Sequence, residues 1–485
     1  MLEGYCWPQS ALPGDRIDLH VSTHAERFDV EVVREGAEPV VVWRAEAVPG
    51  IKHPVPPSAS SEGCQWPPTV TIPVDDGWPS GYHSVRLSAG GEDADAFFAV
   101  RPREPVSILL VLSTSTYAAY NDWGGPSLYT GGTRVALDRP LARGFLRKPE
   151  PALRKAQDEP DPEALTYFRW AEQQELSPWS GGAGWWTWER SFVERAEREG
   201  FSIDVATSQD LELHPEVLDG HRLFLSVGHD EYWSWGMRDA VEAFLARGGN
   251  AAFVGGNTCW WQVRFEDDAR AMTCFKYRAD EDPVLVTDAV RRLTGCWSDR
   301  RIERPESSMT GLSFSRGGYS RYGAGVPRAS GAYTVWRPDH WAFEGTDLRY
   351  GDALGLTDAI VGYEVDGCEL MMVDGLPVPT HEDGVPETLE VLATAPARLW
   401  SQDEQPSRYA DEPGELEHVA SALFGEFAGA NLHRLEHNHA VVGCFTVPGG
   451  GTVFNAGCTD WTYAIAGGDE TVIRVTRNVL ERLSA

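Results

Sequence analysis

The chain has 485 residues, enough for about two to four domains, and its 42% hydrophobic residues can bury a large core. Its 42 basic and 73 acidic side chains give a formal net charge of −31. The electrostatic field of this negative charge repels phosphate backbones and anionic lipids. We therefore expect no binding to nucleic acids or to membrane surfaces.

We expect neither a signal peptide nor a membrane-spanning segment in this sequence. The first 15 residues lack the basic and apolar regions of a signal peptide, and the longest core-like apolar run, residues 106–112, is too short to cross a bilayer. The eight cysteines are scattered without a C-x-x-C pair, which favours free thiols in a reducing compartment. We expect a cytoplasmic protein.

Residues 1–104 have the pattern of an all-β module. Runs such as "RIDLHVST", "FDVEVVRE" and "VVVWRAE" are rich in β-branched and aromatic residues, and Gly, Pro, Asp and Ser separate them at intervals typical of a sandwich. The stretch "DGWPSGYHSVRL", followed by "DADAFFAV", is typical of the last hairpin of an immunoglobulin-like domain. We predict an immunoglobulin-like β-sandwich that ends at the Pro-rich "RPREP".

From residue 105 the pattern changes to α/β. "VSILLVLST" is a continuous apolar strand of the kind that is covered on both faces in a parallel sheet. Helical patterns at residues 188–200 and 233–249 alternate with the buried strands "FSIDVAT", "RLFLSVG" and "NAAFVGG". This alternation predicts right-handed crossovers and a doubly wound α/β sheet.

The second half of the chain returns to strands and turns. Residues 277–435 are rich in Gly and Pro and predict a β-rich insertion that covers the active site. The amphipathic pattern at residues 470–484 predicts a final helix that packs on the same sheet as the first α/β strand. The predicted α/β core therefore comprises residues 105–276 and 436–485.

Three polar and aromatic motifs follow predicted strands, where ligands bind in open α/β sheets. They are "STSTYAAYNDWGGPSLY", "GHDEYW" and "GGNTCWW". In "GHDEYW", His229 and Glu231 can face the same side as a base and a metal ligand, or as an acid–base pair. The alternative is a helix start capped by Asp230.

The motif "GGNTCWW" places Asn257 and Cys259 at a strand–turn–helix. Cys259 invites a nucleophile-elbow interpretation, but G-x-C-x-G is absent and no base for a thiol is marked. Asn257 is the better candidate, as a neutral donor to a polarised carbonyl, and its alternative is a turn residue with an unusual backbone angle.

Together with the ending "GGGTVFNAGCTDWTYAI", these motifs resemble the large-subunit family of N,N-dimethylformamidase. The resemblance implies a glutamine-amidotransferase-like core without its cysteine chemistry, behind an N-terminal β-sandwich. It also implies a mononuclear ferric iron, Fe(III), held by two tyrosines and a glutamate. The family enzyme pairs with a small subunit, so both such a subunit and a homo-oligomer are compatible with the resemblance.

Matching residue by residue, the resemblance implies Glu231 as the carboxylate ligand of the iron and His229 as the histidine beside it. Tyr120 matches the first tyrosinate ligand. Tyr129 matches the second, with Tyr167 as the alternative because the spacing differs from the family pattern.

Three further residues match pocket positions of the family. Asn257 matches the pocket asparagine, while Lys276 in "CFKYR" and Glu364 in "VGYEVDG" match a lysine and a glutamate. The implied function is an iron-dependent amidohydrolase that cleaves the C–N bond of a small N-substituted amide such as a formamide. In this scheme the metal activates the carbonyl or water, and Glu364 or His229 is the base.

Two other functions are compatible with the same residues. The scaffold could be a non-catalytic module that binds a carbohydrate or small metabolite on its Trp and Tyr side chains. It could also be a metal-free hydrolase that uses the carboxylates Glu231 and Glu364. Metal content and a tyrosinate-to-iron absorption band distinguish these from the iron enzyme.

Overall fold

The computed structural model describes residues 1–156, 165–322, 330–409, 412–425 and 429–485. The chain divides into two compact units. The first unit comprises Met1–Ala152, Trp170–His221 and Arg264–Thr273, and the second comprises Leu153–Arg169, Arg222–Val263 and Cys274–Ala485.

The described residues include the following strands: β1 (Leu2–Trp7), β2 (Ser10–Ala11), β3 (Arg16–Thr23), β4 (Arg27–Arg34), β5 (Val40–Pro49), β6 (Val70–Pro73), β7 (Gly81–Ala89), β8 (Glu92–Val100), β9 (Ile108–Leu112), β10 (Arg134–Ala136), β11 (Ile203–Thr207), β12 (Leu223–Gly228), β13 (Tyr232–Ser234), β14 (Asn250–Gly255), β15 (Trp261–Glu266), β16 (Ala271–Thr273), β17 (Ser313–Tyr319), β18 (Tyr333–Val335), β19 (Ala353–Leu354), β20 (Glu364–Gly367), β21 (Leu370–Val373), β22 (Leu376–Pro379), β23 (Glu390–Ala397), β24 (Asn438–Thr446) and β25 (Thr452–Asn455).

The α-helices in the described ranges are α1 (Ala59–Glu62), α2 (Thr114–Tyr120), α3 (Thr166–Gln173), α4 (Glu189–Arg198), α5 (Ser208–Leu213), α6 (Trp235–Ala246), α7 (Ser307–Thr310), α8 (Glu415–Phe424), α9 (Gly429–Leu432), α10 (Trp461–Gly467) and α11 (Glu470–Leu483). Strands outnumber helices, and the chain has a mixed α/β fold with several sheets.

The N-terminal part of the first unit consists of two sheets around one core. One sheet has the order β1-β3-β6 and the other β2-β8-β7-β4-β5. Alternate residues of β4, namely Phe28, Val30 and Val32, are buried in a cluster that also contains Ile17 and Leu19 of β3. The alternating pattern thus places one face of each sheet in a shared core. The immunoglobulin-like topology of residues 1–104 stays a prediction.

The rest of the first unit contains the parallel strand pair β11 and β9, whose residues are buried throughout. Complete burial explains why β9 is a continuous apolar run in the sequence. Phe192, Val193 and Ala196 form the buried stripe of α4, as their helical spacing predicts.

The second unit contains seven strands in the order β12-β14-β25-β24-β23-β18-β19. The first three are parallel, and every later pair is antiparallel. The sheet is therefore mixed, and three of its strands come from residues 277–435. The boundaries at 104, 276 and 435 stay predictions.

Asp469 precedes the last helix, α11, as its N-cap, and its side chain accepts hydrogen bonds from the backbone N–H groups of Thr471 and Val472. Its buried stripe includes Val472 and Val479, and the helix contacts β14. No helix within the described ranges is long and apolar enough to cross a membrane.

The expected cap of α6 is wrong. Ser234, and not Asp230, precedes this helix and accepts a hydrogen bond from the Met237 N–H. The short strand β13 separates Asp230 from the helix. Asp230 instead accepts a hydrogen bond from the Ser226 hydroxyl at 2.9 Å, which ties the loop back to β12.

The substitution Ser234→Ala should destabilise α6 by about 1 kcal/mol, because the Met237 N–H loses its acceptor. Amide exchange of residues 235–246 and urea midpoints would measure the change. Ser58→Ala is the matched control, since Ser58 precedes α1 without a side-chain cap bond. Equal effects of the two substitutions would contradict the assignment of the cap.

Candidate functional site

Parallel pairing in the second unit brings two loops to one edge of the sheet. Gly228, the last residue of β12, is paired with Gly255, the last residue of β14, so the segments that follow emerge side by side. His229 and Glu231 follow the first strand, and Asn257 follows the second. All three side chains are buried.

Gly256 lets β20 approach this edge. A Cβ atom at Gly256 would overlap the backbone oxygen of Glu364, so any larger residue would push the strand away. The close approach delivers the Glu364 side chain to His229. This is the physical reason for the second glycine of the motif "GGN".

A continuous polar contact chain links the four side chains. The Asn257 amide nitrogen donates to Glu364 Oε2 at 3.2 Å, and His229 Nε2 lies 2.7 Å from the same oxygen. His229 Nε2 is also 3.5 Å from Glu231 Oε2. The other oxygen of Glu231 accepts a hydrogen bond of 2.7 Å from the Trp261 indole.

The electrostatics of the site favour an anionic Glu364. Burial alone raises the pKa of this carboxyl, but the adjacent His229, the ammonium of Lys155 and hydrogen bonding more than offset burial. The pKa of Glu364 therefore lies below its ordinary value. Lys155 is itself buried, with its Nζ 4.5 Å from the centre of the Tyr363 ring.

Lys276 lies among aromatic side chains of the same unit. Its Nζ is 5.2 Å from the centre of the Trp261 ring and 5.3 Å from that of Tyr277. Such contacts hold an ammonium group in place. Its backbone φ of +53° is a left-handed conformation that is uncommon for a side chain of this size.

Asn257 is held by a carboxylate behind it. Its own φ is +51°, as expected for a turn asparagine, and its N–H and that of Thr258 donate to the two oxygens of Asp366 at 2.9 and 3.1 Å. Burial raises the pKa of Asp366 to about 7. Within the described residues, the buried amide oxygen of Asn257 has no hydrogen-bond partner.

The predicted tyrosine ligands lie in the first unit. Tyr120 is the last residue of α2 and is 1% exposed, and the centres of its ring and that of Tyr129 are 4.0 Å apart. Gly182 permits this position, because a Cβ there would overlap Cε1 of Tyr120. Tyr167, the alternative, belongs to the second unit, with its ring edge-on to Phe168.

The seven predicted site residues thus fall into two groups. His229, Glu231, Asn257, Lys276 and Glu364 lie in the second unit, while Tyr120 and Tyr129 lie together in the first. The convergence of the tyrosines with Glu231 on one metal ion stays a prediction. Among the residues that the structure describes, no group of three or more His, Cys, Asp or Glu could hold a metal.

Cys259 has the surroundings of a structural cysteine. It is fully buried, and burial raises the pKa of its thiol well above the ordinary value. Because the thiolate is the reactive form, this environment disfavours nucleophilic chemistry. It agrees with the interpretation that the motif "GGNTCWW" contributes Asn257 to the site.

Three buried charged residues of this region were missed in the sequence: Lys155, Asp366 and Glu415. Lys155 stands in "LRKAQDEP", a charged stretch whose composition is typical of a solvated segment, and residues 157–160 of this stretch lie outside the described residues. Asp366 is two residues from Glu364 on β20, so the period of a strand could have indicated a shared face. No local signal distinguishes Glu415.

The sequence matches the family model described as "N,N-dimethylformamidase beta subunit-like, C-terminal" over residues 27–473. The chain belongs to this family. The resemblance predicted from the motifs is thereby confirmed, and it covers both units.

Two curated members of the family show the same relationship. The chain is 24% identical over 448 residues to the N,N-dimethylformamidase beta subunit of Paracoccus aminophilus, covering 86% of this chain and 54% of that protein. It is 23% identical over 458 residues to the N,N-dimethylformamidase beta subunit of an Alcaligenes species, covering 87% and 54%. The chain thus spans about half the length of these relatives.

The substitution Lys155→Met should raise the pKa of Glu364, because the ammonium helps to hold it down. A lowered carboxyl pKa contributes stability above the ordinary value of 4.5, and this contribution is lost as the pH falls through the folded-state pKa. The stability lost in the variant should therefore be largest above pH 4.5, at about 1.4 kcal/mol per pKa unit.

Urea unfolding of the wild type and the variant across the acidic and neutral range would measure this dependence. Lys52→Met, which removes a surface lysine 3.7 Å from Glu3, is the control for loss of one charge. A stability difference for Lys155→Met that does not vary with pH would contradict the coupling to Glu364.

Proposed function

We propose that this protein is an amidohydrolase that cleaves the C–N bond of a small N-substituted formamide. The observation that carries the proposal is the buried contact of 2.7 Å between His229 and Glu364, beside Asn257, in a chain of this family. A buried imidazole–carboxylate pair can position and activate water for attack on a carbonyl.

Glu364 is the proposed general base. His229 Nε2 lies 2.7 Å from Glu364 Oε2 and 3.5 Å from Glu231 Oε2. We assign the proton of the imidazole to this nitrogen, because it faces two carboxylates, and a protonated nitrogen cannot take a proton from water. Glu364 has a lowered pKa and is anionic at neutral pH. His229 is then the residue that orients it.

Asn257 and Lys276 are the proposed stabilisers of negative charge on the carbonyl oxygen. The Asn257 amide nitrogen carries two hydrogens, and its contact with Glu364 uses one of them. Asp366 fixes the backbone of Asn257 through a hydrogen bond. The rings of Trp261 and Tyr277 hold the ammonium group of Lys276 in place. Preorganised donors of this kind lower the barrier to tetrahedral attack.

The residues present fit the ferric iron that the family resemblance implies. Tyr120 and Tyr129 offer two hard phenol oxygens from adjacent rings, and Glu231 offers a buried carboxylate that is oriented by Trp261. Three anionic oxygen donors match the charge of Fe(III). We propose Tyr120, Tyr129 and Glu231 as its ligands; bound there, the ion would supply Lewis acidity to the reaction.

The aromatic side chains near the charged groups support the proposed substrate class. Aromatic rings of Trp261, Tyr277 and Tyr363 surround the charged groups of the second unit. Apolar walls with a few polar groups favour a small, weakly polar ligand. The relatives are named as beta subunits, and we extend to this chain the proposal of a partner subunit.

The direct test is hydrolysis of a series of N-alkylformamides by the iron-loaded protein. Glu364→Gln should lower kcat about 10²–10⁴-fold, because the amide cannot take the proton from water, while the protein keeps its iron. Glu369→Gln is the control on the neighbouring segment, since Glu369 bonds Thr380 and Arg434 instead.

Three results would contradict the proposal in whole or in part. Wild-type protein that binds formamides without hydrolysing them would favour a binding module. Full activity of Glu364→Gln would exclude this carboxylate as the base. Activity that survives removal of iron would retain the hydrolase but contradict the metal.

The substitution Gly182→Ala tests the tyrosine pair separately. The added Cβ displaces the Tyr120 ring, so the variant should lose the tyrosinate-to-iron absorption band and at least about half of its bound iron. Gly77→Ala is the matched control, because a Cβ there meets only Asp75 Oδ1 at 3.3 Å. An unchanged spectrum and iron content in Gly182→Ala would exclude Tyr120 as a ligand.

A further inference from the structure

Glu415 is a buried acid in the second unit, and within the described residues only one of its two carboxyl oxygens is hydrogen-bonded. It begins α8 and is 8% exposed. Its Oε1 accepts hydrogen bonds from the Tyr277 hydroxyl at 2.6 Å and the Tyr319 hydroxyl at 3.3 Å. Its Oε2 is buried and has no hydrogen-bond partner in the part of the chain that the structure describes.

An unpaired carboxyl oxygen at this depth costs free energy unless a bound molecule supplies a partner or the group carries a proton. Tyr277 and Tyr319 fix the orientation of the carboxyl group. Tyr319 is in turn stacked on Trp400, with ring centres 4.2 Å apart. Because the rings hold one oxygen, the other oxygen has a fixed direction.

Charged groups of the proposed site also change the pKa of Glu415. Burial raises its pKa to about 7, against the Tyr277 hydrogen bond and the charge of Lys276, while Glu364 and Glu412 raise it further. Glu364 is shifted in the opposite direction. Two carboxyl groups whose environments push their pKa values apart are the usual pair of a base and an acid.

We propose that Glu415 is the acid that protonates the departing amine nitrogen, a role that rests on the proposed amidohydrolase function. The oxygen of water bonds to the carbonyl carbon as Glu364 takes one water proton. The C–N bond then breaks with its electron pair going to nitrogen, which receives the proton of Glu415 Oε2. Solvent takes the proton from Glu364 and restores the one on Glu415, leaving formic acid and the amine.

The experiment compares two leaving groups in wild-type protein and Glu415→Gln. A dialkylamine is a poor leaving group and needs a proton, whereas 4-nitroaniline leaves without one. Glu415→Gln should lower kcat for N,N-dimethylformamide about 10²-fold or more and kcat for N-formyl-4-nitroaniline less than about tenfold. Gln keeps an acceptor for the Tyr277 hydroxyl, so the fold is preserved.

The pH profile provides a second readout. Wild-type kcat for the dialkylamide should fall as the pH rises above about 7, because the acid loses its proton, and Glu415→Gln should lack this limb. Tyr277→Phe removes a hydrogen bond that lowers the pKa of Glu415, so the limb should move to higher pH. Infrared difference spectra need no turnover. In Tyr277→Phe they should show the carboxylic-acid band disappearing at a higher pH than in the wild type.

Glu412→Gln is the matched control, because this half-buried acid also interacts with Lys276. At a pH well below 7, where Glu415 keeps its proton in both proteins, Glu412→Gln should leave the ratio of kcat for the two substrates unchanged. An equal loss on both substrates in Glu415→Gln, or an alkaline limb that persists in it, would overturn the role of Glu415 while leaving the amidohydrolase in place. A wild-type protein inactive on both substrates would instead overturn the proposed function, and this role with it.

Discussion

The contact between His229 and Glu364 is the interaction on which the second unit's site depends. Neither group could be buried alone, because an isolated charge at this depth would be neutralised or exposed. Paired, they allow an imidazole, a carboxylate and the Asn257 amide to share one small volume. Two neighbouring groups adjust this pair: the charge of Lys155 lowers the pKa of Glu364, while burial raises that of Asp366 to about 7.

The backbone makes that contact possible through glycine and strand pairing. Parallel pairing of β12 with β14 sets His229 beside Asn257, and Gly256 leaves room for β20 to approach this edge. The site is therefore assembled from segments more than 100 residues apart in the sequence. Because these side chains follow the ends of paired strands, small changes in sequence at this edge alter their relative positions.

The sequence predicts local features of the fold well and long-range ones poorly. The helix expected at 470–484 is Glu470–Leu483, and the one at 188–200 is Glu189–Arg198, because apolar spacing and capping residues act within a few turns. Asp230 was misassigned as a cap because β13, which separates it from α6, is only three residues long. Lys155 and Glu415 gain their character from partners far along the chain, which no local pattern encodes.

Lys276 and Asn257 share a property with thermodynamic consequences. Both hold left-handed backbone angles, of +53° and +51°, which glycine adopts without strain. A side chain at either position therefore lowers the free energy of unfolding relative to glycine. A selection for thermal resistance alone would favour glycine at both positions, whereas the proposed amidohydrolase requires both side chains.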